Sequence, residues 1–265
     1  MTALTEINAK DERKGEPAME ANSTGGGRYY GVTALLLILE FLLLTAALMV
    51  LGAAINWPAS LDEPASVNLP LITEQRGAVL LGYGAYMLYS VLVLPLGMLL
   101  YRVLADREGS ASPLLTAAVG FGVASALARS LGIVRWFVLM PALADAYLDP
   151  GASEATRGTI SVTYDAFNAY AGGVGEVLGV GLFGGLFFGL VSVALVRSER
   201  FPAWIGYAGV AVAALLLAGV LEAFGLDLGP VLTLSVTALQ LWMLAFAVVL
   251  LRARRSDRRS PRRAA

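Results

Sequence analysis

Residues 31–55 read GVTALLLILEFLLLTAALMVLGAAI, and Glu40 is their one ionisable side chain. A helix rising ~1.5 Å per residue needs about 20 apolar residues to cross ~30 Å of hydrocarbon. The segment therefore reads as a membrane span. Its apolar residues run continuously instead of alternating, and leucine and alanine dominate, which argues against a barrel strand. Five more segments of this kind follow, at about 77–101, 112–140, 171–196, 202–222 and 229–251. The expected fold is all-α: a polytopic bundle of six transmembrane helices over residues 29–252. A polar tail, 1–28, reads as disordered, and a basic tail, 253–265, follows the last helix.

The composition agrees. Of 265 residues 57% are apolar and only 15% charged, against about 25% charged in an ordinary soluble domain. Mean hydropathy is +0.71. A soluble chain this apolar could not cover its own surface. The charged stretch before the first apolar run is too long for a signal peptide.

Between the spans, residues 56–76 and 141–160 carry Pro58, Pro64, Pro70, Pro141 and Pro150 and read as irregular linkers. Residues 102–111 and 197–200 are short linkers, and 222–227 reads as a tight hairpin. Pro95 is expected to kink the second span, and Pro202 suits a helix start.

Basic residues set the orientation. With the N-terminus inside, 15 of the 19 fall on the inner side: Lys10, Arg13, Lys14 and Arg28; Arg102 and Arg107; Arg197 and Arg200; and the seven arginines from Arg252 onward. Arg76 and Arg157 fall outside, and Arg129 and Arg135 lie within the third span. The positive-inside rule then puts both termini in the cytoplasm. Trp57 and Trp136 at the outer ends, with Tyr29, Tyr30, Tyr101 and Trp204 at the inner ends, read as aromatic belts. The C-terminal arginines read as a lipid-facing anchor. Without interleaved aromatics they do not indicate nucleic-acid binding.

Several chemistries are excluded. There is no cysteine and no histidine, and the two lysines, Lys10 and Lys14, lie in the N-terminal tail. Disulfides, thiolate or histidine metal sites, a histidine general base and a membrane Schiff base are all unavailable. No cofactor is expected. No G-x-S-x-G occurs, and no ordinary base would activate a serine. A carboxylate-only lipid hydrolase or transferase survives, but the expectation is a non-enzymatic protein.

Ionisable groups at membrane depth face the bundle interior or a wet cavity. By helical rise Arg129 lies roughly 24 Å from the inner end of the third span and Arg135 about 33 Å. Glu176 lies roughly 30 Å from the inner end of the fourth, and Glu222 ends the fifth at similar height. Tyr83 and Tyr86 stand in the outer half of the second span, and Asp165 and Asn168 precede the fourth. These eight residues converge on the outer side. One reading is a self-neutralising ion-pair network, with Arg129 and Glu176 as its best pair and Arg135 reaching the outer interface. The other is a pocket open to the outside that takes a small polar or anionic ligand, with Arg129 as its anchor. Glu40 and Gln240 sit at similar depth, roughly 13 and 16 Å from the inner face, and are expected to be hydrogen-bond partners gluing two helices, or else part of a proton relay.

The fourth span carries Gly172, Gly173, Gly175, Gly179, Gly181, Gly184, Gly185 and Gly189. The spacings 175/179, 181/185 and 185/189 permit close helix contact, expected within the chain rather than across a dimer. A homo-oligomer is possible but unsupported.

The stretches Arg197-Ser198-Glu199-Arg200-Phe201-Pro202-Ala203-Trp204-Ile205-Gly206-Tyr207-Ala208-Gly209 and Leu221-Glu222-Ala223-Phe224-Gly225, with the region Tyr101–Arg135, resemble a bacterial family catalogued as domain of unknown function 4386. The resemblance covers residues 31–252. It implies an integral membrane protein of about six helices and supplies no activity or functional residues; the expected place is the bacterial cytoplasmic membrane, with membrane lipids as partners. The expected function is binding of a small ligand or lipid in the outer polar cluster. The alternatives are a secondary transporter of protons or a small solute, and a structural or regulatory partner of another membrane protein.

Overall fold

Backbone N–H and C=O groups inside hydrocarbon have to be satisfied within the chain. The computed structural model, which describes residues 24–105, 112–226 and 228–259, meets this demand with helices. Among the described residues every regular element is helical, and six helical stretches are long and apolar enough to cross a membrane. They belong to α1 (Thr24–Ile55), α3 (Arg76–Leu104), α4 (Pro113–Val134), the succession α6–π–α7 (Glu154–Gly172, Gly173–Gly184, Gly185–Arg197), α8 (Ala203–Ala218) and α9 (Gly229–Arg259). Of the two short helices, α2 (Ala65–Glu74) lies outside this set, and α5 (Leu139–Tyr147) continues the third span, which runs Pro113–Tyr147.

Local chemistry fixes several ends. Asn56, at φ 56°, takes the left-handed conformation and stops α1. Ser112 Oγ accepts from the Leu115 N–H, with Pro113 in the first turn of α4. Ser153 Oγ accepts from Thr156 N at the start of α6. At the end of α3, Arg200 donates to the carbonyls of Val103, Leu104 and Ala105, at 3.4, 3.5 and 2.8 Å. Thr33, Thr45, Ser90, Ser130 and Ser192 each donate to the carbonyl four residues back, so these hydroxyls need no outside partner.

The six spans form a closed ring in chain order. α1 packs on α3, α3 on α4, α4 on the π stretch and α7, α7 on α8, α8 on α9, and α9 back on α1. Glycines permit the closest approaches. Gly206 and Gly209 let α8 settle on α7 and α9, where Trp242 Nε1 donates to Ile205 O at 2.8 Å. Gly181, Gly185 and Gly189 face Val220, Leu217 and Ala213 in the same way, so the small-residue spacings are used within the chain.

The two ends of the ring differ. At one end Arg254 covers Gly31, Tyr30 meets Phe201 edge-on at 5.8 Å, and Arg200 caps α3. Arg28, Arg102, Arg197, Arg252 and Arg255 are exposed near the helix ends that meet there, making a basic rim. At the other end α2, α5 and the start of α6 pack into a polar cap. Asn68 holds it: its Nδ2 donates to Ser60 O, to Glu63 O at 3.3 Å and to Tyr164 Oη at 2.7 Å.

Several boundaries depart from expectation. The stretches 56–76 and 141–160 are substantially helical, with Pro64 capping α2 and Pro70 and Pro141 inside helices. The third span ends at Val134 and resumes as α5. The fourth begins at Glu154, 17 residues before 171, because the stretch that carries Asp165 and Asn168 is helical and continuous with it. The fifth runs from α8 into a tight helical turn, Gly219–Phe224, ended by Gly225 at φ 84°. α1 starts inside the expected tail and α9 continues to Arg259. The rest of the two tails, residues 1–23 and 260–265, with 106–111 of one linker and 227 of the expected hairpin, lies outside the described residues. Trp136 and Tyr30 are buried and belong to no interfacial belt, whereas Tyr29 and Trp204 are exposed.

Candidate functional site

Two apolar clusters fill the ring. One, towards the basic end, gathers Leu37, Leu96, Leu100, Leu115, Phe187 and Phe246. The other, under the cap, gathers Leu51, Val79, Tyr83, Ile133, Trp136 and Tyr164. On α1, α3 and α4 the residues between the clusters include Glu40, Tyr89, Ser90 and Arg129, all buried. A polar layer thus separates the two apolar halves.

A cavity of about 20 Å³ adjoins this layer on the cap side. Its lining includes Tyr83, Tyr86, Arg129, Arg135 and Glu176, five of the eight residues expected on the outer side, together with Trp57, Trp136, Gly132, Gly172 and Gly175. Arg129 is 3% exposed and Arg135 7%. The Arg129 guanidinium lies 4.9 Å from the Tyr89 ring centre, and that of Arg135 lies 5.3 Å from Trp136. Cation–π contact of this kind holds a guanidinium without occupying its N–H groups. Tyr83 stacks on Trp136, centroids 4.5 Å apart and planes at 10°, and Trp57 meets Tyr86 edge-on at 5.7 Å.

The hydrogen bonding is incomplete. Arg129 Nε and Nη2, Arg135 Nε and Nη1, and Tyr83 Oη are buried without a partner. No ion pair joins Arg129 to Glu176; the ion pair between described residues is Arg76–Asp145 at 3.2 Å, half-exposed on the cap. The expected network is therefore corrected. Arg129 lies against the Tyr89 ring and Arg135 against Trp136. Nor does Arg135 reach the interface, because its side chain turns back onto Trp136.

The remaining expected residues fall elsewhere. Asp165 is exposed and Asn168 half-buried; with Asp62 and Glu63 they line a separate open depression of about 430 Å³ on the cap. Asn168 Nδ2 donates to Leu61 O at 2.7 Å, tying α6 to the cap. Glu222 sits half-buried in the turn after α8 and does not line the cavity. Glu40 is fully buried, with neither carboxylate oxygen hydrogen-bonded. Its expected partner, Gln240, donates instead to Thr45 Oγ1 at 3.4 Å. Thr45 is five residues past Glu40 on α1, so similar depth did not mean the same face.

The fourth span brings Glu176 to the cavity through a π-helical stretch with glycine at 173, 175, 179, 181 and 184. A Cβ on Gly132 would stand 2.8 Å from Gly175 Cα, so α4 and the π stretch meet backbone to backbone. Ser125 Oγ donates to Gly179 O at 2.6 Å, bridging the same two elements. π turns are commonly found at functional sites. Trp57, Trp136, Tyr89 and the π stretch were missed as parts of the site. In the sequence the two tryptophans read as interfacial, whereas Tyr89 carries a signal in its one-turn spacing from Tyr86.

Chemically the pocket wall is rich in donors: two guanidinium groups and two phenols line it, beside the exposed carboxylate of Glu176. Among the described residues no group of three or more acidic side chains stands ready to hold a metal.

Residues 32–253 match the model of the family described as Domain of unknown function (DUF4386), and the chain belongs to that family. No curated protein and no solved structure matches it.

Proposed function

For this six-span member of the DUF4386 family we propose a binding role without catalysis. The protein sits in the bacterial cytoplasmic membrane with both termini in the cytosol and holds a small polar or anionic ligand, or a lipid group, in the cap-side cavity. The observation that carries this reading is the set of buried, unpartnered N–H and O–H groups on Arg129, Arg135 and Tyr83. A buried donor left unmade costs ~1–3 kcal/mol, and more when charged, so such a set is stable when something supplies acceptors. Guanidinium groups favour anionic acceptors in particular. The absence of cysteine, histidine and membrane lysine from the sequence supports binding over turnover. The basic rim supports the cytosolic placement of the termini.

Native mass spectrometry of the full chain in mild detergent tests the reading. A retained small molecule or lipid that Arg129→Gln releases supports it. A wild-type protein and variant that carry the same species, or none, contradict it.

A second reading, transport of protons or a small solute, is favoured by Glu40, a buried mid-span carboxylate with no hydrogen-bond partner. Flux in proteoliposomes that Glu40→Gln abolishes would support it, and flux unchanged by that substitution would count against it.

A further inference from the structure

We propose that the cap-side pocket takes the phosphoethanolamine headgroup of a membrane lipid, with its phosphate on Arg135 and its ammonium on Glu176. This rests on the binding role just given and names the class of its ligand.

Depth comes first. By helical rise Arg135 lies about 33 Å from the basic end and Glu176 roughly 30 Å. Hydrocarbon is ~30 Å thick, and the headgroups extend a bilayer to ~40–45 Å. Both residues therefore stand where the phosphates of the cap-side leaflet begin. The pocket is half open, and its space, open side included, is about 300 Å³. The turn Gly219–Phe224 packs on the π stretch that carries Glu176. Its Leu221 and Phe224 are exposed, as side chains that face lipid are.

Glycine shapes the way in. A Cβ on Gly172 would stand 3.6 Å from Arg135 Nη1 and 3.7 Å from Nη2, and one on Gly173 would meet nothing within 4 Å. The head of Arg135 thus lies behind a strip of the fourth span that carries no side chain. Its Nε and Nη1 are buried without a partner. Glu176 comes four residues after Gly172, about one turn, and is an exposed residue of the pocket lining. The charges therefore run from a guanidinium inside to a carboxylate on the rim. Arg129, ~9 Å deeper by rise, is not needed for this contact.

The occupant has to match that order. Guanidinium N–H groups pair well with phosphate oxygens. A carboxylate on the rim disfavours a headgroup that is only anionic, such as phosphatidylglycerol. It accepts from an ammonium, which carries three donors. Phosphoethanolamine holds both charges two carbons apart. Phosphocholine holds the same charges, but its quaternary nitrogen has no hydrogen to donate to Glu176.

Native mass spectrometry of the full chain tests the inference. The protein is equilibrated in mild detergent with equal amounts of phosphatidylethanolamine, phosphatidylglycerol and phosphatidylcholine of the same acyl chains. Phosphatidylethanolamine is expected to be retained several-fold above the other two, and excess free phosphoethanolamine to leave it in place. Arg135→Gln is expected to weaken its retention about tenfold or more, the loss of one charge-assisted interaction. Gly172→Leu, which covers the Arg135 head, is expected to weaken it similarly. Glu176→Gln, at an exposed position the fold tolerates, is expected to abolish the preference over phosphatidylglycerol. Equal retention of the three lipids by the wild type, or a preference that survives Glu176→Gln, overturns the phosphoethanolamine assignment and leaves the wider binding role standing. Displacement by free phosphoethanolamine overturns the lipid source. Retention untouched by Arg135→Gln and Gly172→Leu overturns the site. A protein that holds none of the lipids but keeps another small molecule that Arg129→Gln releases overturns this inference alone, and one that holds nothing overturns both readings.

Discussion

A methyl group added at Gly132 would land 2.8 Å from Ala171 O and Gly175 Cα, both backbone atoms that cannot swing aside. Gly132→Ala is therefore expected to push α4 off the fourth span and cost ~1–3 kcal/mol, the usual cost of overpacking. Gly84 on α3 has nothing within 4 Å of the same added atom, so Gly84→Ala is expected to be neutral or slightly stabilising. Thermal unfolding of the two variants in one detergent checks the contrast; equal midpoints would contradict it. Asn68 is a second single-residue dependence. Asn68→Ala strands Tyr164 Oη and the cap carbonyls it serves, and is expected to cost ~1–3 kcal/mol and loosen α2 from α6. At this scale the sequence was a partial guide. Arg129, Arg135 and Glu176 stood out because charge is rare in apolar runs. Their partners did not, because guanidinium–ring contacts and the direction of a side chain about its helix depend on packing that spacing alone leaves open. The Gln240–Glu40 pairing failed for that reason, depth being legible and azimuth not.

The fourth span is the element that departs furthest from a plain helix. Its 44 residues, Glu154–Arg197, are far more than ~30 Å of hydrocarbon requires, so α6 projects into the cap. The π stretch lies in its middle. Wide turns hold backbone hydrogen bonds less well, and glycine leaves them without side-chain cover. Hydrogen exchange is therefore expected to be faster over 173–184 than over α7 (Gly185–Arg197), with Ser125→Ala widening the difference by freeing Gly179 O. Uniform protection along the span would contradict this. Existence of the six spans could be read from hydropathy, which depends on composition. The helical character of the proline-bearing stretches 56–76 and 141–160 could not. Pro64 caps α2, Pro70 lies inside it and Pro141 occupies the first turn of α5, where a missing N–H costs little, so prolines read as breaks were partly helix starts.

At the scale of the molecule, six spans close into a ring with a basic rim at one end and a cap at the other. Chain order already implied neighbouring antiparallel helices. Closure of α9 onto α1 depends on small residues at the seam, such as Gly31 under Arg254, and could not be read from segment count. The central claim is that this ring spans a bilayer with its basic rim in the cytosol and its cap outside. Because the chain contains no cysteine, a single one can report position without background. Ala155→Cys on the cap and Ser256→Cys beyond the last span are both exposed sites. A membrane-impermeant maleimide added to intact spheroplasts is predicted to label the cap cysteine at once and the position-256 cysteine only after lysis. Labelling of both before lysis, or of position 256 alone, would contradict the account.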